Sequence, residues 1–301
     1  MVAAMVAAVS ACQVTAQTPE ATSLFGKPLI SSPPAGETKA RLEADLAKAQ
    51  ADFDKDPAGA DVAIWLGRRL AYLGRFRDAI DTYTTGIAKH PDEPRLYRHR
   101  GHRYITIRKF DLAVADLTKA SQLIAGKPDE IEPDGAPNPK GIPRSTLQSN
   151  IWYHLGLAHY LKGQFDRALE AYRSGMRVSR VNDDMLVATS DWLYMTLRHL
   201  KRDDEARAAL EPIKAQMDVI ENMAYHARLL MYKGQRTPES VLNLNTADDV
   251  QIATQGYGVG NWYLVNGDRA KAKEIFDRVL AGHAWTAFGF IAAEADTQRG
   301  L

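Results

Sequence analysis

The chain has 301 residues, 45% of them apolar, enough to bury a substantial core, which excludes disorder throughout. Its 38 Lys and Arg nearly balance 37 Asp and Glu, so no global field favours nucleic acid or an anionic membrane surface, and a charged partner must be met by a local patch. The single cysteine, Cys12, excludes an internal disulfide framework and any multi-cysteine metal site.

In chain order, residues 1–16 come first as a signal-like segment. The small, apolar run MVAAMVAAVSA leads into Val9-Ser10-Ala11-Cys12, which resembles the lipobox of bacterial lipoproteins. The resemblance implies cleavage before Cys12, lipidation of that residue, and a periplasmic or membrane-anchored protein; a cytoplasmic protein is the alternative. Secretory signals open with positive charge, whereas the first basic residue here is Lys27, so Met1 is expected to lie inside a longer signal. Val14-Thr15-Ala16 before Gln17 also resembles an ordinary secretory cleavage site. No other stretch approaches the roughly 20 apolar residues of a transmembrane helix. Residues 17–37, rich in Pro, Ser, Thr and Ala, read as a flexible linker.

Residues 38–58 carry Ala40, Leu42, Leu46, Ala49 and Phe53 at helical spacing and predict a leading helix that ends before Pro57 and Gly59. Repetition then sets in. Gly67 and Gly101 are 34 residues apart, as are Ala79 and Ala113, while Gly156 and Ala168 follow 55 residues later because a 21-residue insertion displaces both alike. The segments LGRRLAYLGRFRDAIDTY, RGHRYITIRKFDLAVADL and LGLAHYLKGQFDRALEAY align on these markers. They resemble tetratricopeptide repeats (TPR), with small residues where the two helices of a hairpin meet, and with Tyr83, Tyr97, Tyr104, Trp152, Leu155 and Tyr172 at the large sites. The resemblance implies an all-α, right-handed TPR superhelix over residues 59–301, of about six helical hairpins with a leading and a terminal capping helix.

Units are expected at 60–93, 94–127, 149–182, 187–219, 220–252 and 253–284. The later ones are looser, since Ala206 lies 38 residues after Ala168 and Ala272 a further 66 on, leaving room for a degenerate unit. Thr246 and Asp249 resemble a capping box opening the last first helix. The segment WTAFGFIAAEADTQ (285–298) reads as a capping helix with one apolar and one polar face. The insertion, about 126–146, is proline-rich with acidic residues at its start and reads as a loop.

Stacked repeats build a concave surface that binds extended ligands. Counting away from the buried stripes puts Arg68, Arg95, Arg98 and His102 at a basic entrance and Tyr153 and Tyr160 on an aromatic floor. Arg198, Arg228 and Asn261 follow, with Ile64, Leu157, Met195, Met231 and Tyr257 between them. Forked donors beside aromatic and methionine surface suit a protein or peptide ligand carrying acidic residues or a free C-terminus. Asp129, Glu130, Glu132 and Asp134 of the insertion can compete for the arginines as an intramolecular lid, or the insertion is passive. The two-carboxylate clamp of some TPR domains is not reproduced, because its sites hold Ile64, Arg68, His99, Asn150 and His154.

Other chemistry is weakly signalled. His99 and His102 share a helix face, but the arginines around them oppose a cation. Gly256, Gly258 and Gly260 follow no strand and fit tight helix packing. Asp183-Asp184 and Asp203-Asp204 fall at helix starts, where acids favour the helix dipole. The expectation is a non-catalytic adaptor without metal or cofactor, tethered in a bacterial envelope. The alternatives are a soluble TPR chaperone or regulatory subunit, and an enzyme with a site assembled across repeats.

Overall fold

The computed structural model describes residues 18–32 and 34–301; Cys12 and the rest of the signal-like segment lie outside the described residues. A leading helix α1 (Gly36–Lys55) is followed by six hairpins. These are α2 (Ala60–Tyr72) with α3 (Phe76–Lys89), α4 (Pro94–Thr106) with α5 (Phe110–Leu123), and α6 (Leu147–Leu161) with α7 (Phe165–Val178). The later three are α8 (Asp183–His199) with α9 (Asp203–Ala209), α10 (Met223–Tyr232) with the single turn α11 (Pro238–Val241), and α12 (Asp249–Val265) with α13 (Arg269–Leu280). Helix α14 (Phe288–Gln298) is the last described element. First helices of successive hairpins contact one another and form an inner layer; second helices form the outer one.

The repeat markers sit where helices touch. A Cβ on Gly67 would fall 2.3 Å from the Tyr83 ring, one on Gly156 2.6 Å from Tyr172, and one on Gly101 2.8 Å from Leu117. Ala79, Ala113, Ala168, Ala206 and Ala272 are all fully buried in the facing helices. Any larger residue would force the pair apart or strain its rotamers. Helix α6 starts at a capping box of Thr146 and Ser149. The box on α12 is made by Asp248 and Gln251, two residues beyond the expected Thr246 and Asp249. The turn inside a hairpin needs a left-handed residue, supplied by Gly74, Gly163 and Gly267; in the second hairpin that place is taken by Arg108, at φ 63°.

Three segments depart from the expected open solenoid, each by folding back onto its helices. Helix α14 is no half-exposed cap, since all residues from Gly289 to Asp296 are buried. It packs on α12, α13 and α6, and Gly289 brings it so close to α12 that a Cβ would lie 2.0 Å from the Ala253 carbonyl. Its polar face is consumed internally. Glu294 accepts from Arg108 Nε at 2.9 Å and from the Leu24 amide at 2.8 Å, and Asp296 accepts from the Tyr257 hydroxyl at 2.8 Å.

The expected linker is ordered from residue 18. Ala21–Thr22 pair antiparallel with Pro28–Leu29, and the ribbon is held to both ends of the fold, by Arg77 Nε to the Glu20 carbonyl (3.0 Å) and Trp285 Nε1 to the Ile30 carbonyl (2.8 Å). Backbone donors and acceptors that a solvated linker would leave to water find partners here. The insertion is the third such segment. Its limbs bond through Glu132 N–H to the Ser145 carbonyl (3.0 Å) and Leu147 N–H to the Glu130 carbonyl (2.9 Å). Its tip accepts from Arg68 and Arg69 of α2 through the Pro133 and Gly135 carbonyls, both at 2.8 Å, and Asn138 reaches Glu221 before α10 at 2.6 Å. The insertion thus ties the first hairpin to the fifth.

Candidate functional site

Helix α4 carries five cationic or imidazole side chains in the run Arg98, His99, Arg100, His102, Arg103, and its Pro94 start with Glu93 as cap fixes where they point. Arg100 turns outward to a forked pair with Asp116, at 2.7 Å through each nitrogen. Arg98, His99, His102 and Arg103 face inward, toward Tyr83 and the insertion. One carboxylate meets Arg98 and His99. Glu132, only 6% exposed, lies 3.2 Å from Arg98 Nη2 and 3.2 Å from His99 Nε2, and accepts from Asn150 Nδ2 at 2.6 Å. Burial opposes ionisation of Glu132, but Arg98 and His99 outweigh it and hold the carboxyl well below its usual range. His99 and Asn150 stand at two of the clamp-equivalent positions, and they grip a carboxylate of the chain itself.

Beside this pair a cleft of about 300 Å³ opens between α4, α6, α8 and the start of α14, lined by Arg98, His102, Asn150, Tyr153, His154 and Phe288. His102 and His154 lie with ring centres 4.4 Å apart and planes tilted by 38°, and Phe288 closes on both. Burial, then Arg98, pull His99 and His154 down to about 3; burial, then Arg103, hold His102 well below its usual value. All three rings are therefore neutral near pH 7, and the fixed positive charge comes from guanidinium groups. Such a site can hold a carboxylate and hydrogen-bond the chain that carries it.

The structure brings together Arg68, Arg98, His102 and Tyr153. Arg68 is half-buried over the Trp65 ring at 4.6 Å and bonded to the insertion. Tyr153 edges the cleft, its hydroxyl accepting from Trp192 Nε1 at 2.8 Å. Arg95 stands apart, paired with Asp61 (2.8 Å) and its own cap Glu93 (2.7 Å). Arg198 is spent on Asp203, Tyr194 and Asn266, each at 2.9 Å.

The expected groove positions farther along are core. Tyr160 is fully buried with its hydroxyl 2.5 Å from that of Tyr257, Asn261 reaches His199 Nε2 at 2.7 Å, and Arg228, 1% exposed, forks onto Asp191. Ile64, Leu157, Met195, Met231 and Tyr257 are buried as well. The cause is that α12 contacts α8 while α14 fills the space in front of α6 and α12, so the far half of the concavity is occupied by the chain. Phe288 and Glu294 have no signal of their own in the sequence, and Arg103 and Arg108 show there as members of a basic run without acids. The substitution of arginine at the glycine turn position is a further signal for Arg108.

Residues 149–182, which take in most of α6 and all of α7, match the family described as tetratricopeptide repeat. That segment is a TPR unit, and the stacked hairpins make the fold an all-α TPR superhelix. A search of curated proteins finds no match by sequence. Among solved structures, YrrB, described as a TPR protein with an unusual peptide-binding site, is similar at 16% identity over 78% of this chain and 92% of its own, with a TM-score of 0.45. MamA is similar at 16% identity over 66% of this chain and 94% of its own, with a TM-score of 0.45. TTC0263, a thermophilic TPR protein of Thermus thermophilus, is similar at 16% identity over 64% of this chain and 90% of its own, with a TM-score of 0.46.

Proposed function

We propose that the protein is a non-catalytic adaptor that takes an acidic segment, or the free C-terminus, of a client protein at the Arg98 site, displacing residues 129–135 of its own insertion. The observation that carries this reading is the grip of Arg98, His99 and Asn150 on Glu132. A carboxylate delivered by a tethered loop competes with one delivered by a client, and the tether sets an effective concentration in the millimolar range. The resting affinity for a client is therefore reduced by the fraction of sites the loop occupies.

Fluorescence anisotropy with labelled acidic peptides tests this, one of them the sequence of residues 128–136 supplied in trans. Glu132→Gln should raise affinity about tenfold or more by weakening the internal competitor. Arg98→Glu should abolish binding and its salt dependence. Equal affinity in wild type and both variants would mean that the client binds elsewhere.

The same proposal has the adaptor tethered in a bacterial envelope, supported by Val9-Ser10-Ala11-Cys12. Full-length protein expressed from its native start should then partition with membranes, and Cys12→Ser should release or misprocess it. An acyl-free wild type of the same mature mass as the variant would refute the tether.

A further inference from the structure

A second cleft lies on the other side of His102, and it differs from the first in holding a cation with no counter-charge. It measures about 370 Å³ and forms where four parts of the chain meet: Ser31, Ser32 and Pro34, the turn between α2 and α3, helix α4, and the loop before α14. Arg103 is in its wall, with Tyr72, Ser31, Ser32, His283 and Thr286 around it. The Arg103 guanidinium packs over the Phe76 ring at 5.7 Å. Among the described residues it makes no ion pair, although Arg98, Arg100 and Arg108 of the same stretch each have a carboxylate. Residues 1–17 and residue 33 contain no Asp or Glu, so none is supplied from there either.

Burial, and then the neighbouring charges of Arg98 and Arg68, lower the Arg103 pKa to about 10, which still leaves it protonated at neutral pH. A half-buried, uncompensated cation is unfavourable on its own. The arrangement is otherwise closely determined. Gly74, in its left-handed turn, lets Ser31 approach so that a Cβ would lie 1.7 Å from the Ser31 hydroxyl oxygen, and the Trp285 indole fixes the Ile30 carbonyl at 2.8 Å. Hydroxyl groups and a guanidinium thereby line the same cleft.

We propose that this cleft is a binding site for a small oxyanion ligand, one that sets a carboxylate or phosphate against Arg103 and polar groups against Ser31, Ser32 and Thr286. The cleft lies within the size range of small-molecule sites, and guanidinium forks favour both anions. It is separate from the Glu132 site and does not depend on client binding. Since its walls come from the N-terminal ribbon, α4 and the segment leading into α14, an occupant would fasten both ends of the chain to the inner layer.

Thermal melts of the whole chain in inorganic phosphate, in succinate, and in chloride at matched ionic strength test the site. At least one oxyanion should give a saturable rise in melting temperature over chloride, with slower amide exchange in residues 18–32. The arm that saturates at lower concentration identifies phosphate or carboxylate as the preferred group. Arg103→Gln should remove the rise while leaving the chloride melt equal or higher, because the variant lacks the unpaired charge. Ser32→Ala with Thr286→Val, which keeps Arg103, should weaken the oxyanion effect by severalfold and serves if Arg103→Gln does not fold. Identical melts in oxyanion and chloride, or an oxyanion rise undiminished in these variants, would overturn the proposal and leave Arg103 as a packing residue over Phe76.

Discussion

Glu294→Leu is expected to lower the stability of the folded chain by about 3–5 kcal/mol, the cost of stranding one member of a buried ion pair. Glu294 and Arg108 are 1% and 2% exposed at their side chains and meet at 2.9 Å. Arg108 also donates to the Thr106 and Trp285 carbonyls, at 2.5 and 2.8 Å, so it cannot swing out to water without breaking the path into α14. The variant leaves this guanidinium buried without its anion and leaves the Leu24 amide without its acceptor. Replacing both partners, as Arg108→Met with Glu294→Leu, should recover much of the loss, since it removes the desolvated charges together. Urea unfolding of the two singles and the double measures the coupling. A loss below about 1 kcal/mol for Glu294→Leu would show that the pair is not sealed from solvent in solution.

Acidification should have the second large effect. The ordinary histidine pKa is 6.5, and His99 and His154 are held at about 3 in the folded chain. Between those values the unfolded chain binds protons that the folded chain refuses, so stability rises with pH across the window and is lost as pH falls below 6.5. At pH 5 the forgone protonation amounts to about 2 kcal/mol for each ring. Two such rings approach the whole stability of an ordinary domain, about 5–15 kcal/mol. Glu132, depressed in the fold, acts in the same direction but only below its ordinary 4.5, where protonation of the unfolded chain begins. The groups facing these rings are Arg68, Arg98, Arg103, His102 and Glu132. Melting temperature should stay level above pH 7 and drop steeply from pH 6.5 to 5, and His99→Gln with His154→Phe should flatten that drop. A wild-type melting temperature unchanged from pH 7.5 to 5 would contradict the assigned burial.

The solenoid was legible because its signals are local. Helix pairs are specified by small residues at fixed spacing, and Gly67, Gly101 and Gly156 announce them within single hairpins. Where the chain folds back was not legible, because it depends on pairs far apart in sequence. Nothing local to FGFIAAEA tells a cap with two solvated acids from an inner helix whose Glu294 and Asp296 find Arg108 and Tyr257. The candidate site divides in the same way. Arg68, Arg98, His102 and Tyr153 follow from the inward side of each first helix, whereas Tyr160, Arg228 and Asn261 share that side but are covered by α14 and its neighbours. The acidic start of the insertion pointed to the arginines, but only the fold selects Glu132 from its four acids.

The bonds from Leu24 and from Arg108 to Glu294 span 270 and 186 residues, while each hairpin closes on its own sequence. Local contacts form early and distant ones late, since loop closure must come first. A chain emerging N-terminus first therefore completes its hairpins in order, with the ribbon still unseated and the arginines of the inner layer uncovered, until α14 leaves the ribosome. The nascent protein and the finished one thus offer their surroundings different surfaces, and the interval between them is the time in which the inner layer is most open to a passing chaperone.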